Sequence, residues 1–238
     1  MLSFIGILIL GFFLGMRHAT DPDHVIAVTT IVTRQRGVAK AGIIGALWGM
    51  GHTFTIFVVG AAIILFKVAI PPRVGLSMEF AVGLMLILLG VLNLTGILRR
   101  LQQEFTPSAD IAPSGGGRFE RALREMGLYN ALRPLVVGIV HGLAGSAAVA
   151  LVVMAAISDP WWAIAYLFLF GLGTIAGMMV MTTILALPIG YTGRRFSGWN
   201  HAMTFASGLL SVGFGLFLSY QIAIAGGLFS ASPQWTPH

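Results

Sequence analysis

Apolar positions run almost unbroken through six stretches of this chain, roughly 2–33, 41–66, 77–98, 134–157, 160–189 and 201–225. Stretches of that length predict helices that cross a bilayer. The first is too long for one straight crossing. At 1.5 Å per residue its 32 residues would reach about 48 Å, against a hydrocarbon core of ~30 Å. Pro22 supplies the reason to break it, because proline lacks an N–H and its ring clashes with the carbonyl four residues back, that of His18. The expected fold is an all-α integral membrane protein of six transmembrane helices, the first broken near Pro22.

Polar positions between the stretches set the orientation. Eleven of the 14 Lys and Arg fall on one side of a six-span chain: Arg34, Arg36, Lys40, Arg99, Arg100, Arg118, Arg121, Arg124, Arg133, Arg194 and Arg195. Lys67 and Arg73 fall on the other. The positive-inside rule places the eleven in the cytoplasm and both termini outside. Splitting 2–33 into two crossings would scramble this segregation. The stretch has no basic leader segment and no small-residue cleavage site, so it reads as a retained span of a cytoplasmic-membrane protein. Within the connecting segment 99–133, residues 106–117 read as a flexible linker. Phe119, Ala122, Leu123 and Met126 then recur at helical spacing among basic residues. Two readings stand there: a helix on the anionic inner leaflet, or a short helix capping the next span.

Composition agrees. The chain is 57% hydrophobic and 9% charged, with mean hydropathy +0.90, where soluble domains carry about 25% charged residues. The net charge of +6 sits in short loops between apolar spans and is no nucleic-acid signal. The absence of cysteine excludes disulfides, thiolate metal sites and dithiol chemistry.

The halves resemble each other. Gly15-Met-Arg-His18 aligns with Gly138-Ile-Val-His141, and Trp48-Gly-Met-Gly-His52 with Phe170-Gly-Leu-Gly-Thr174. Met78-Glu-Phe-Ala-Val-Gly-Leu84 aligns with Met203-Thr-Phe-Ala-Ser-Gly-Leu209, and Gly90 and Gly215 keep that register. With three spans in each half, the second runs in the opposite sense. The expected organisation is a first three-helix repeat at 1–98, a cytoplasmic linker at 99–133 and a second repeat at 134–238. Inverted repeats place a substrate site near the midplane where the halves meet.

The polar residues inside the spans carry the chemistry. His18-Ala-Thr-Asp21-Pro-Asp23-His24 puts two imidazoles and two carboxylates at membrane depth, beside Arg17. Each ionisable group there costs ~2.5–3.5 kcal/mol on insertion scales, so a cluster needs a compensating partner. A bound cation supplies it, since these are the oxygen and nitrogen ligands suited to divalent first-row metals. Arg17 reads as a countercharge to Asp21 or Asp23, or as an interfacial anchor. His52, between glycines, and His141, the repeat mate of His18, are further candidates. A lone membrane histidine is more often a helix-to-helix hydrogen-bonding group than a ligand, and that reading stands beside both. Thr174, the repeat mate of His52, offers at most a hydroxyl. His201 and His238 read as interfacial, and the Met residues as packing.

Arg17-His-Ala-Thr-Asp-Pro-Asp-His-Val25 resembles the Arg-His-Ala-x-Asp-Ala-Asp-His-Ile motif of the nickel/cobalt transporter family, with Pro22 in place of Ala. Gly51-His52-Thr53 is similar to that family's second motif. The short chain, without the family's acidic Asp-Thr-Ala-Thr-Glu motif, looks more like the urease-accessory-like or superoxide-dismutase-associated nickel permease branch. The resemblance implies His18, Asp21, Asp23 and His24 as metal-binding residues with His52 behind them. It also implies a secondary permease for Ni²⁺, or Co²⁺, as substrate rather than prosthetic group. Import follows the inside-negative potential. No nucleotide-binding loop is present, and no ATPase subunit is evident from the sequence. The expected partners are the divalent ion and the lipid bilayer. A membrane-embedded metalloenzyme using the same cluster is the alternative, with Asp21 or Asp23 as base.

Overall fold

Pro22 opens a helix. The computed structural model describes residues 4–33, 37–67, 70–97, 130–145, 149, 153, 157, 159–192 and 197–235, with side chains at all of these except 4, 189–192 and 197–200. Helix α1 (Phe4–His18) stops before the proline and α2 (Pro22–Val32) starts on it. Asp21 between them is extended, at φ −60° and ψ 144°, the region into which a following proline pushes a residue. The Thr20 and Asp21 amides donate to the carbonyls of Arg17 and His18, at 2.8 and 3.1 Å. The break therefore leaves these two amides paired, as membrane depth demands.

Helix α3 (Val38–Phe66) has no internal proline and ends at Lys67, which adopts the left-handed conformation. Helix α4 (Pro72–Leu94) opens on a proline whose missing N–H costs nothing at that position. Helix α5 covers 130–145. Helices α6 (Pro160–Thr192) and α7 (Ser197–Tyr220) follow, and a π-helical turn (Gln221–Ala225) extends α7. No strand occurs among the described residues.

Four helical stretches are long and apolar enough to cross a membrane: Val38–Phe66, Pro72–Leu94, Pro160–Pro188 and His201–Ala225. They match four of the six expected spans. The expected first span is present as α1 and α2, of 15 and 11 residues; at 1.5 Å per residue they rise only about 22 and 16 Å, so neither crosses alone. The expected fourth, 134–157, is helical through 145, and most of its remainder lies outside the described residues. So do residues 98–129, with the expected surface helix, and the basic residues Arg34, Arg36, Arg194 and Arg195.

Helix α6 is the centre of the packing, with α3 and α1 against it, while α4 lies against α7. These approaches are made at glycines. A Cβ on Gly15 would strike the Phe170 carbonyl oxygen, and one on Gly138 the Trp48 carbonyl oxygen. One on Gly51 would meet the Leu135 carbonyl, and one on Gly173 that of Phe12. Backbones in such contact leave no room for a side chain. We expect Gly138→Val to force α5 away from α3 at a cost of about 1–3 kcal/mol, the usual penalty of overpacking. Thermal unfolding in detergent should show a lowered Tm, whereas Gly213→Ala, with open space around it, should leave it unchanged.

A second polar seam joins α2, α4 and α7. Asn93 donates to the Thr204 carbonyl at 3.1 Å and to the Ser207 hydroxyl at 3.2 Å, and Ser211 donates to the Leu86 carbonyl at 2.8 Å. Such groups act as glue between helices in a medium without water. Beyond α7 the chain folds back over the start of α4, where the Trp235 indole donates to Glu79 at 2.8 Å and Arg73 to the Ser230 carbonyl.

Candidate metal centre

Four helices deliver the six candidate side chains to one place. His18 is the last residue of α1, and Asp21 caps the break. Asp23 and His24 stand in the first turn of α2, aimed by Pro22. His52 comes from the middle of α3 and His141 from α5. The last two meet because Gly138, one turn before His141, lets α5 touch the α3 backbone at Trp48 and His52. His18 and His24 are six apart and would diverge on a continuous helix; across the break their ring centres are 4.7 Å apart. The ring of His24 also lies 5.0 Å from that of His52 and 4.3 Å from that of His141.

The polar contacts sort the donors. His18 Nδ1 lies 2.7 Å from Asp21 Oδ2. His18 Nε2 faces His52 Nε2 at 3.1 Å. Asp23 spans two imidazoles, with Oδ1 3.0 Å from His24 Nδ1 and Oδ2 2.8 Å from His141 Nε2. The His24 amide donates to the same Oδ1 at 2.9 Å. A carboxylate accepting from one ring nitrogen fixes the tautomer and turns the other nitrogen's lone pair outward, the usual outer-shell arrangement around a metal-ligating histidine. Asp21 does this for His18 and Asp23 for His24 and His141.

Burial shows what remains unsatisfied. His24, His52 and His141 are 2%, 0% and 2% exposed. Their atoms His24 Nε2, His52 Nδ1 and His141 Nδ1 have no hydrogen-bond partner among the described residues. An unmade hydrogen bond on a buried polar atom costs about 1–3 kcal/mol, so three in one cluster call for a further partner. Two sets of donors have the spacing of a metal site: His18, His24 and His52, and Asp23, His24 and His141, each with its donor atoms within 4.8 Å of one another. An imidazole nitrogen binds a first-row dication at ~2.1 Å, so two at right angles stand ~3.0 Å apart; the His18–His52 pair has nearly that separation. With neutral imidazoles the two carboxylates carry two negative charges, which a divalent cation balances.

Trp48 was not among the candidates read from the sequence. It is fully buried, stacked 5.9 Å from His24 and edge-on to His141 at 5.8 Å. It sits one helical turn before His52, which puts it on the same face, and that spacing was the available signal. Phe170, its counterpart in the second half, lies 5.5 Å from His18. The two aromatics wall the imidazoles. Arg17 is exposed, and both carboxylates take imidazoles, not Arg17, as partners. Thr174 turns its hydroxyl to its own helix, donating to the Phe170 carbonyl. His201 and Met50 are exposed, the latter by 41%, and His238 lies outside the described residues.

Comparison with known proteins bears on this cluster. Residues 4–230 match the family model described as high-affinity nickel-transport protein. The chain is 33% identical over 225 residues to urease accessory protein UreH of Bacillus sp. (strain TB-90), covering 94% of this chain and 95% of that one. It is 25% identical over 208 residues to the chloroplast protein FOR GROWTH AND FERTILITY 2 of Arabidopsis thaliana, covering 87% of this chain and 54% of that one. No solved structure matches it.

Proposed function

The chain belongs to the high-affinity nickel-transport family, and we propose that it is a secondary permease carrying Ni²⁺, or alternatively Co²⁺, into the cytoplasm. It is a multi-pass membrane transporter and not an enzyme, so catalytic use of the cluster is not favoured. The proposed binding residues are His18, Asp21, Asp23, His24, His52 and His141. The observation that carries this reading is the buried convergence of four imidazoles with two carboxylates that orient them. Imidazole-rich sites suit Ni²⁺, whereas carboxylate and water sites suit Mg²⁺ and Mn²⁺.

The inward direction rests on the membrane potential. A dication moving to the negative side gains about 4.6 kcal/mol per 100 mV, enough to drive accumulation without a nucleotide. The orientation, with both termini outside a cytoplasmic membrane, rests on the basic loops. Two inverted three-helix repeats, 1–98 and 134–238 about a linker at 99–133, are supported by paired contacts. Gly15 meets Phe170 as Gly138 meets Trp48, and Gly51 meets Leu135 as Gly173 meets Phe12. Gly15 and Phe170 are the repeat mates of Gly138 and Trp48, and Gly51 and Leu135 those of Gly173 and Phe12.

Purified protein in vesicles with an inside-negative potential should take up radioactive Ni²⁺, with excess Co²⁺ competing better than Mn²⁺. Vesicles that stay empty, or uptake indifferent to Co²⁺, would refute the assignment. Binding should also weaken from pH 7.5 to 5.5. His18, His24, His52 and His141 ligate only when deprotonated, so binding releases protons and acid opposes it. Affinity flat across that interval, measured by equilibrium dialysis, would contradict imidazole ligation.

A further inference from the structure

Five of the six candidate donors fall into two overlapping sets, and His24 belongs to both. We infer that the ion occupies two successive positions, first among His18, His24 and His52, then among Asp23, His24 and His141, with His24 passing it between them. This rests on the transport reading above.

Three observations carry it. One nitrogen of His24 is already engaged by the second set and the other is not. Nδ1 faces Asp23, which also holds His141, while Nε2 has no partner among the described residues and is the nitrogen left for His18 and His52. Each set also has one member with accessible surface. The His18 side chain is 19% exposed and the Asp23 side chain 29%, whereas His24 between them is sealed at 2%. An ion entering at one exposed member and leaving at the other passes the sealed imidazole. Finally, the sets differ in chemistry. Three neutral nitrogens make a selective station for a nitrogen-seeking dication. A carboxylate with two nitrogens makes a more ionic station, whose oxygen exchanges more readily with water. Handing the ion on requires Asp23 to give up its hydrogen bonds to the His24 and His141 rings and the His24 proton to pass from Nδ1 to Nε2 as the ion leaves that nitrogen, so the second station forms only as the first arrangement breaks. That makes occupation sequential, one ion at a time.

His141 is the residue that separates this scheme from a single joint site. Gln at 141 keeps a side-chain N–H for Asp23 and removes the ligand. In vesicles, His141→Gln is expected to lower Ni²⁺ uptake roughly 10- to 100-fold, while equilibrium dialysis of the purified chain in detergent still finds one Ni²⁺ bound near wild-type affinity. His52→Ala, which breaks the first station, is expected to lose both binding and uptake. If His141→Gln loses affinity as His52→Ala does, the two sets are one site and the inference fails. If it transports like wild type, His141 is a hydrogen-bonding residue and the inference fails equally. Absence of Ni²⁺ binding by the wild-type chain would instead overturn the transport reading on which the scheme depends.

Discussion

His24→Ala is expected to abolish nickel uptake, by at least about 100-fold, beyond what outer-shell changes around a metal usually cost. No other residue belongs to both donor sets, so its loss leaves two donors in each. The protein should still insert and fold. The deleted ring is sealed among Trp48, His52 and His141, and its Nε2 makes no hydrogen bond among the described residues, so removal opens a cavity but orphans little beyond the bonds to Asp23. Size-exclusion behaviour and thermal unfolding in detergent check the fold, and radioactive uptake checks the function. A well-folded variant with near-normal transport would refute the centre as the route of the ion.

The next largest effect is expected at Asp23. Asp23→Asn keeps the shape and removes the charge. The carboxylate now accepts from the His24 ring, the His24 amide and His141. An amide has one acceptor oxygen, so one of the two imidazoles must face an N–H₂ group and change tautomer or turn away. We expect a 10- to 100-fold fall in Ni²⁺ affinity, the range for removing a carboxylate that orients a ligating histidine. Uptake should fall further still, because Asp23 is itself a donor of one set. The local cost to folding is small: a negative charge in the first turn of α2 contributes about 0.3–1 kcal/mol through the helix dipole. Asp21→Asn is the informative contrast. The Asp21 carboxylate hydrogen-bonds only the His18 ring among the described side chains and is half exposed, so its loss should weaken binding by less than that of Asp23. Equal losses at the two positions would contradict the distinct roles assigned to them.

Local covalent chemistry explains what the sequence by itself determined. Proline has no N–H wherever it stands, so the break between His18 and Pro22 follows from Pro22 alone, and the extended Asp21 with it. Two histidines and two aspartates within seven residues are a cluster in any fold, and their cost at bilayer depth makes them candidates without coordinates. Apolar length predicted α3, α4, α6 and α7 as spans for the same reason: the property is summed along one segment. His141 is a different case. The repeat marked it as equivalent to His18, but nothing local says that it reaches across to Asp23, 118 positions earlier in the chain. That contact depends on α5 and α3 touching backbone to backbone at Gly138 and Gly51, and helix packing is set by shape over many residues at once. Arg17 shows the same limit in reverse. Adjacency offered it as the partner of Asp21 or Asp23, yet it is exposed and the carboxylates take imidazoles. Sequence could place donors on a segment. Only the tertiary structure decided which ring nitrogen each carboxylate holds, that Trp48 closes the wall, and that two donor sets meet on His24, because ring orientation is settled by contacts arriving from other helices.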